Sequence, residues 1–253
     1  MEQVKTFSPS STDAFSFCPR YWGFYKARLK PRVISYPEIA SIIGTSVAAG
    51  LEVFYKGRMI NQQIDSIVYT TVAQNVANME MNAALAGGAR YVAIKDRDSW
   101  DNVLGTVERV LNLHARIDPF KIYTVESVEE TGDFHDRTDL ILRDANGQRL
   151  VVDFKVKLTL RAEWVKKEQT KWARSWQQHH YAITRGTDRF AVALLCPKTR
   201  QGVYYEIVQV DPGYKQLWLR DAVQLWGEMA RVESIPLDQL RGNTSHSNEY
   251  GEC

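Results

Sequence analysis

Thr138-Asp139-Leu140-Ile141-Leu142-Arg143, then Asp144-Ala145-Asn146-Gly147-Gln148, then Arg149-Leu150-Val151-Val152-Asp153-Phe154-Lys155: this stretch decides how the chain reads. Two apolar, β-prone runs flank a turn signal, the pattern of a β-hairpin. Loop length then matters, because successive side chains alternate between the two faces of a sheet. A two-residue Asn146-Gly147 loop would pair Asp139 with Phe154 and send Asp139 and Asp153 to opposite faces. A three-residue loop, Ala145-Asn146-Gly147 with Gly147 left-handed, sets Asp139 across from Asp153 instead. Lys155 then projects from the same face. The chemistry of the three ionisable groups selects the longer loop.

Two aspartates aimed into an apolar sheet are costly unless a cation compensates them. Oxygen donors of this kind suit Mg²⁺, with Mn²⁺ as a substitute, ions that also bind phosphate and acidify bound water. A lysine beside them orients the attacking water or stabilises charge developing on phosphorus. An isolated Asp-x-Lys is common, and its plain reading is a set of surface salt bridges. The apolar flanks, the second aspartate, and Gln177 and Tyr181 four residues apart in a helical pattern argue for a metal-dependent site acting on DNA phosphodiesters.

The order Asp139, Asp153-Phe154-Lys155, then Gln177-Gln178-His179-His180-Tyr181 resembles the PD-(D/E)XK nuclease superfamily, and within it the RecB-like branch. Ser8-Pro9-Ser10 and Cys18-Pro19-Arg20-Tyr21 look like the element that opens that branch. The resemblance implies Asp139, Asp153, Lys155, Gln177 and Tyr181 as the catalytic set. Asp139, Asp153 and the Phe154 backbone carbonyl would be metal ligands. One departure stands out. The family's Gly-x-x-x-His-x-x-x-Glu reads here from Gly44 to Glu52 with Ala48 at the histidine position. Glu52, one turn from Ala48, is then the nearest substitute ligand, although a pair with Lys56 is an equal reading. Iron-sulfur members need four cysteines, and only Cys18, Cys196 and Cys253 exist, so no cluster is expected.

The chain has 253 residues, 44% of them hydrophobic, enough for one sizeable core. The expected fold is α/β: a mixed central sheet flanked by helices, a restriction-endonuclease-like core with a helical N-terminal part. One domain is expected over 1–235, with its helical front to about 118, its sheet core from about 119, and a polar tail over 236–253. Three scattered cysteines form no disulfide framework, which fits a reducing cytoplasm. No signal peptide or long apolar span is read, so no membrane partner is expected. Formal net charge is only +2, so contact with DNA must come from local basic patches.

Ser10 to Asp13 resembles a capping box before a helix over Ala14 to Arg28. Helices are expected from Glu38 to Lys56, stopping at Gly57, and across about Asn61 to Leu85 and Asp98 to Ile117. Strands are expected near Tyr123 to Glu129, Thr138 to Arg143, Arg149 to Val156, Arg189 to Cys196 and Gly202 to Val210. A last helix covers about Gly213 to Val232. One long helix is expected from Glu163 to Arg185. Its Lys167, Lys171, Arg174, Gln178, Tyr181 and Arg185 would share a face. The cations and Gln178 on that stripe would grip DNA phosphates, and Trp172 and Trp176 would pack inward on the sheet. Arg20 is one further expected DNA contact. His135, His179 and His180 are candidate ligands by residue type alone, and such histidines are more often surface or capping groups.

These residues make an exonuclease acting on DNA ends or single strands the leading expectation, in recombination, repair or phage DNA metabolism. The alternatives are a catalytically impaired DNA-binding or assembly subunit of the same fold, and an endonuclease.

Overall fold

A computed structural model describes residues 12, 15, 39–87, 99–132 and 136–235. Arg20, Cys18, Ser8-Pro9-Ser10, His135 and the 236–253 tail lie outside them. Helices α1 (Ile39–Met59), α2 (Ser66–Ala86) and α3 (Trp100–Ile117) precede strands β1 (Thr124–Thr131), β2 (Arg137–Arg143) and β3 (Arg149–Val156). A 3-10 turn (Ala162–Trp164) and helices α4 (Val165–Ala173) and α5 (Trp176–Thr184) lead to β4 (Arg189–Leu195). Then come β5 (Val203–Tyr204), β6 (Ile207–Gln209) and α6 (Pro212–Val232). The α/β expectation holds.

The sheet is mixed, in the order β1-β2-β3-β4-β5, with β6 also on β4. β1, β2 and β3 are antiparallel neighbours, while β4 lies parallel to β3. That parallel step requires a crossover, which α4 and α5 supply. β5 and β6 pair with β4 in one register, interrupted at Tyr205 and Glu206, so the single strand expected over Gly202 to Val210 is broken in its middle.

The central strands are buried on both sides, which explains their unbroken apolar runs. On one face Leu140, Leu142, Leu150, Val152, Ala191 and Ala193 pack against Val47, Leu51 and Tyr55 of α1 and Val107 and Leu111 of α3. On the other, Ile141, Val151 and Phe190 meet Tyr181 and Ala182 of α5, and Val192 and Leu194 meet Val165 of α4. A separate cluster joins Phe15 to Trp218, Trp226 and Met229 of α6, with the Trp226 indole donating to Thr12 Oγ1 at 3.2 Å.

Two local expectations change. α1 continues through Gly57, which is buried, because a Cβ there would fall 2.2 Å from Ile64 Cγ1. The glycine permits close packing, and the left-handed residue that ends the turn is Asn61, at φ 56°. α2 therefore starts at Ser66 and not near Asn61, capped by Asp65, whose carboxylate accepts from the Ile67 N–H. α1 also has the length and composition of a membrane-crossing helix, a test that a core helix passes as well. Its buried residues line the sheet core.

Candidate active site

The hairpin sets the site. Leu140 pairs with Val152, Ile141 with Val151 and Arg143 with Arg149. The Asp144 N–H donates to the Gln148 carbonyl at 3.0 Å, leaving Ala145-Asn146-Gly147 as the loop, with Gly147 at φ +78°. This is the three-residue register. Carried one pair beyond Leu140, it sets Asp139 across from Asp153, on the face of Ile141 and Val151. Asp139 Oδ2 accepts the Phe154 N–H at 2.8 Å.

Phe154 turns its ring the other way, stacking on Tyr55 at 5.8 Å and meeting His114 edge-on at 5.3 Å. Tyr55 and His114 are joined by a 2.8 Å hydrogen bond, and burial pushes the His114 pKa down to about 3, so that layer is neutral. A ring anchored on one face fixes the orientation of Asp153 and Lys155 on the other.

Asp153 is 4% exposed. Lys155 Nζ stands 3.0 and 2.8 Å from its two carboxylate oxygens and 5.0 Å from the centre of the Trp172 ring. Burial works to lower the Lys155 pKa, but Asp153 and Asp139 outweigh it, so the ammonium stays charged. Burial, then the charge of Asp153, pushes Asp139 up to about 7, against the Phe154 N–H and Lys155. Gln177 Nε2 donates to Tyr181 Oη at 2.8 Å, and burial raises the Tyr181 pKa, so the phenol stays neutral. Tyr181 packs on Ile141 and Val151, the same-face neighbours of Asp139 and Asp153.

A small cavity, about 10 Å³ and large enough for one water centre, is bordered by Ala48, Glu52, Glu129, Asp139 and Phe154. Ala48 and Glu52 thus reach the neighbourhood that the early helix was expected to cover. Glu129 is an addition that sequence reasoning missed. It sits on β1 at φ 54°, an uncommon conformation for glutamate, and burial raises its pKa. The available signal was an acid ending a strand expected beside the hairpin. Among the described residues no group of three or more His, Cys, Asp or Glu side chains forms a ready metal shell. The nearby carboxylates are held in pairs instead: Glu52 with Lys56, Glu129 with Arg137 and Asp153 with Lys155. Asp139, kept from ionising by burial and by the charge of Asp153, is a hard oxygen donor of the kind that suits a divalent cation.

The expected basic helix is two helices. α4 ends at Ala173, and Ser175, extended at φ −67° and ψ 130°, starts α5. Trp172 packs into the β4 cluster, while Trp176 leaves the sheet for Trp218 of α6, ring centres 5.1 Å apart. Residues four apart on one straight helix would share a face, so the break lets the two indoles fill different layers.

Lys167, Lys171 and Arg174 are exposed. Gln178 and Arg185 are not on that surface. Gln178 is fully buried, its amide without a hydrogen-bond partner among the described residues. Arg185 is 6% exposed and bound by Asp136, Nη2 to Oδ1 at 3.0 Å, with another bond to the Glu130 carbonyl. Neither reaches a phosphate from there. His180 and Thr184 also bond Asp136, at 3.0 and 2.9 Å. His179 leans on Tyr214 and bonds the Ser175 carbonyl, so neither helical histidine stands as a ligand.

The sequence profile of the PD-(D/E)XK nuclease superfamily matches residues 6–242. The chain belongs to the PD-(D/E)XK nuclease superfamily. Nucleases of this superfamily generally use divalent metals. The fold is similar to that of a candidate exonuclease from Eubacterium rectale, at 15% identity and a TM-score of 0.50, over 95% of this chain and 84% of that one. An alkaline exonuclease from Laribacter hongkongensis aligns at 13% identity and a TM-score of 0.36, over 66% of this chain and 88% of that one. No curated protein sequence matches significantly.

Proposed function

We propose that this chain is a metal-dependent deoxyribonuclease, an exonuclease hydrolysing phosphodiester bonds at DNA ends or in single strands. The observation that carries it is Asp139, Asp153 and Lys155 on one face of adjacent strands, inside a chain of nuclease family. Asp139, Asp153 and the Phe154 carbonyl would hold Mg²⁺, with Mn²⁺ as a substitute and Glu52 close by. A bound divalent ion neutralises phosphate charge and acidifies a coordinated water. Lys155, kept cationic by the aspartates, would orient the attacking water or stabilise charge on the phosphorus. Tyr181, neutral and oriented by Gln177, supplies a hydroxyl to position the strand. Exposed Lys167, Lys171 and Arg174 offer phosphate contacts, and Arg20 remains a further candidate.

The test is a gel assay on linear, circular and single-stranded DNA with Mg²⁺, Mn²⁺ or EDTA. Progressive loss of linear or single-stranded DNA, with circles spared and EDTA inhibitory, is expected. Cleaved circles would point to an endonuclease. DNA binding without cleavage in either metal would indicate a non-catalytic subunit.

A further inference from the structure

Trp164 lies in the 3-10 turn before α4 and is 50% exposed. A single exposed tryptophan is ordinary. This one lines an open groove of about 590 Å³, together with Lys157, Leu158, Leu160, Arg161 and Glu168, the acid being paired with Lys157. The groove begins at Val156 and Lys157, directly after Lys155 on β3.

Cations mark the path between the two. The ammonium groups of Lys155, Lys157 and Lys171 gather around the Trp172 ring, at 5.0, 5.4 and 5.5 Å from its centre. Lys167 Nζ stands 5.3 Å from the centre of the Trp164 ring. Lys155 and Lys157 are engaged by Asp153 and Glu168, and exposed Lys171 also lends its charge to Glu168, whereas Lys167 is exposed with no acidic partner among the described residues. Arg161 is 79% exposed and makes only a long, exposed pair with Glu163, at 3.9 Å. An aromatic platform with flanking ammonium groups matches a nucleotide, whose base stacks while its phosphate meets the cation. A duplex keeps its bases stacked internally, so only an unpaired base can use such a platform.

We infer that Trp164, with Lys167 and Arg161, forms a base-stacking subsite for a single-stranded polynucleotide, at the groove that begins at Val156 and Lys157. The inference rests on the nuclease reading, and it names the substrate class of that same site. Lys157 lines the groove and shares the Trp172 ring with Lys155, which ties the subsite to the Asp153-Lys155 pair.

Fluorescence anisotropy of the full chain with short labelled oligothymidylate, in EDTA, tests it without cleavage. Trp164→Ala should weaken binding about tenfold, the effect of losing one stacked base. Trp164→Phe should retain most affinity, and Lys167→Ala should reduce the salt slope by about 0.7. Blunt duplex binding should not respond to Trp164→Ala, and an oligouridylate arm reports whether the sugar matters. Melting curves exclude misfolding, which an exposed side chain is not expected to cause.

Unchanged single-strand affinity in Trp164→Ala, or equal losses for blunt duplex, overturns the subsite, even where the wild type cleaves DNA. Tenfold weaker binding, in a wild type that cleaves nothing, keeps the subsite and sinks the nuclease reading. A wild type that binds no oligonucleotide overturns both.

Discussion

At the residue scale, Asp153 has one neighbour that repels it and one that attracts it, and the balance sets the site. Asp139 is pushed up to about 7 by burial and by Asp153, while Lys155 bridges both oxygens of Asp153. Asp153→Asn keeps size and packing but removes one ligand charge. DNA cleavage should fall by at least about a hundredfold, in line with loss of a principal electrostatic group, with the melting temperature retained. Lys155→Ala should lose activity similarly while calorimetry still detects Mg²⁺ binding. Undiminished degradation by either variant would assign the activity elsewhere. Glu52 is a subtler case, since its carboxylate borders the cavity yet pairs with Lys56. Glu52→Gln should weaken Mg²⁺-dependent activity, and Ala48→His should raise activity with Mn²⁺, because imidazole favours softer ions. A metal titration in which Glu52→Gln matches the wild type would remove Glu52 from the shell.

At the scale of elements, the break between α4 and α5 separates two kinds of basic residue. Lys171 is exposed, whereas Arg185 is locked to Asp136 at the end of α5. Lys171→Ala should leave the melting temperature alone and lower the salt dependence of DNA binding by about one contact. Arg185→Ala strands a buried carboxylate and should destabilise the fold by on the order of 3 kcal/mol. Chemical denaturation separates the two, and equal stability of both variants would contradict the assignment. The same network predicts an acid response. Burial opposes ionisation of Asp136, but the His180 hydrogen bond and Arg185 hold its pKa down at about 2. A depressed folded pKa means stability that is fully present above the unfolded value near 4 and is lost as pH falls through about 2. The contribution is about 2 kcal/mol at neutral pH. Asp136→Asn should flatten the unfolding free energy between about pH 4 and 2, and an unaltered profile would place the acid response elsewhere.

At the scale of the whole molecule, the two sheet faces are packed independently of the ionisable cluster between β2 and β3. The protein should therefore fold without metal, and chelation should abolish activity while leaving the circular dichroism spectrum intact. If Mg²⁺ binds as proposed, adding it should raise the melting temperature, because only the native state brings the two carboxylates together. At one hundred times its dissociation constant the stabilisation is about 2.7 kcal/mol. Asp153→Asn should abolish that rise. A thermal shift that survives in Asp153→Asn would locate the Mg²⁺ site elsewhere.

The sequence alone determined the hairpin, and the chemistry of Asp139, Asp153 and Lys155 chose its three-residue loop over a two-residue one. That loop sets the register, and a period of two then orients each side chain. These links are local. The order of strands and helices followed from apolar runs and turn residues in the same way. Tertiary structure decided what local periodicity cannot carry. Gly57 reads as a stop signal, yet Ile64 makes it a packing glycine inside α1. Trp172 and Trp176 read as one inward face, yet the sheet claims the first and α6 the second, so the helix breaks. Arg185 reads as a phosphate grip until Asp136, forty-nine residues earlier in the chain, buries it. Partners distant in sequence choose which side of a helix is wet, and spacing along one helix holds no record of that choice.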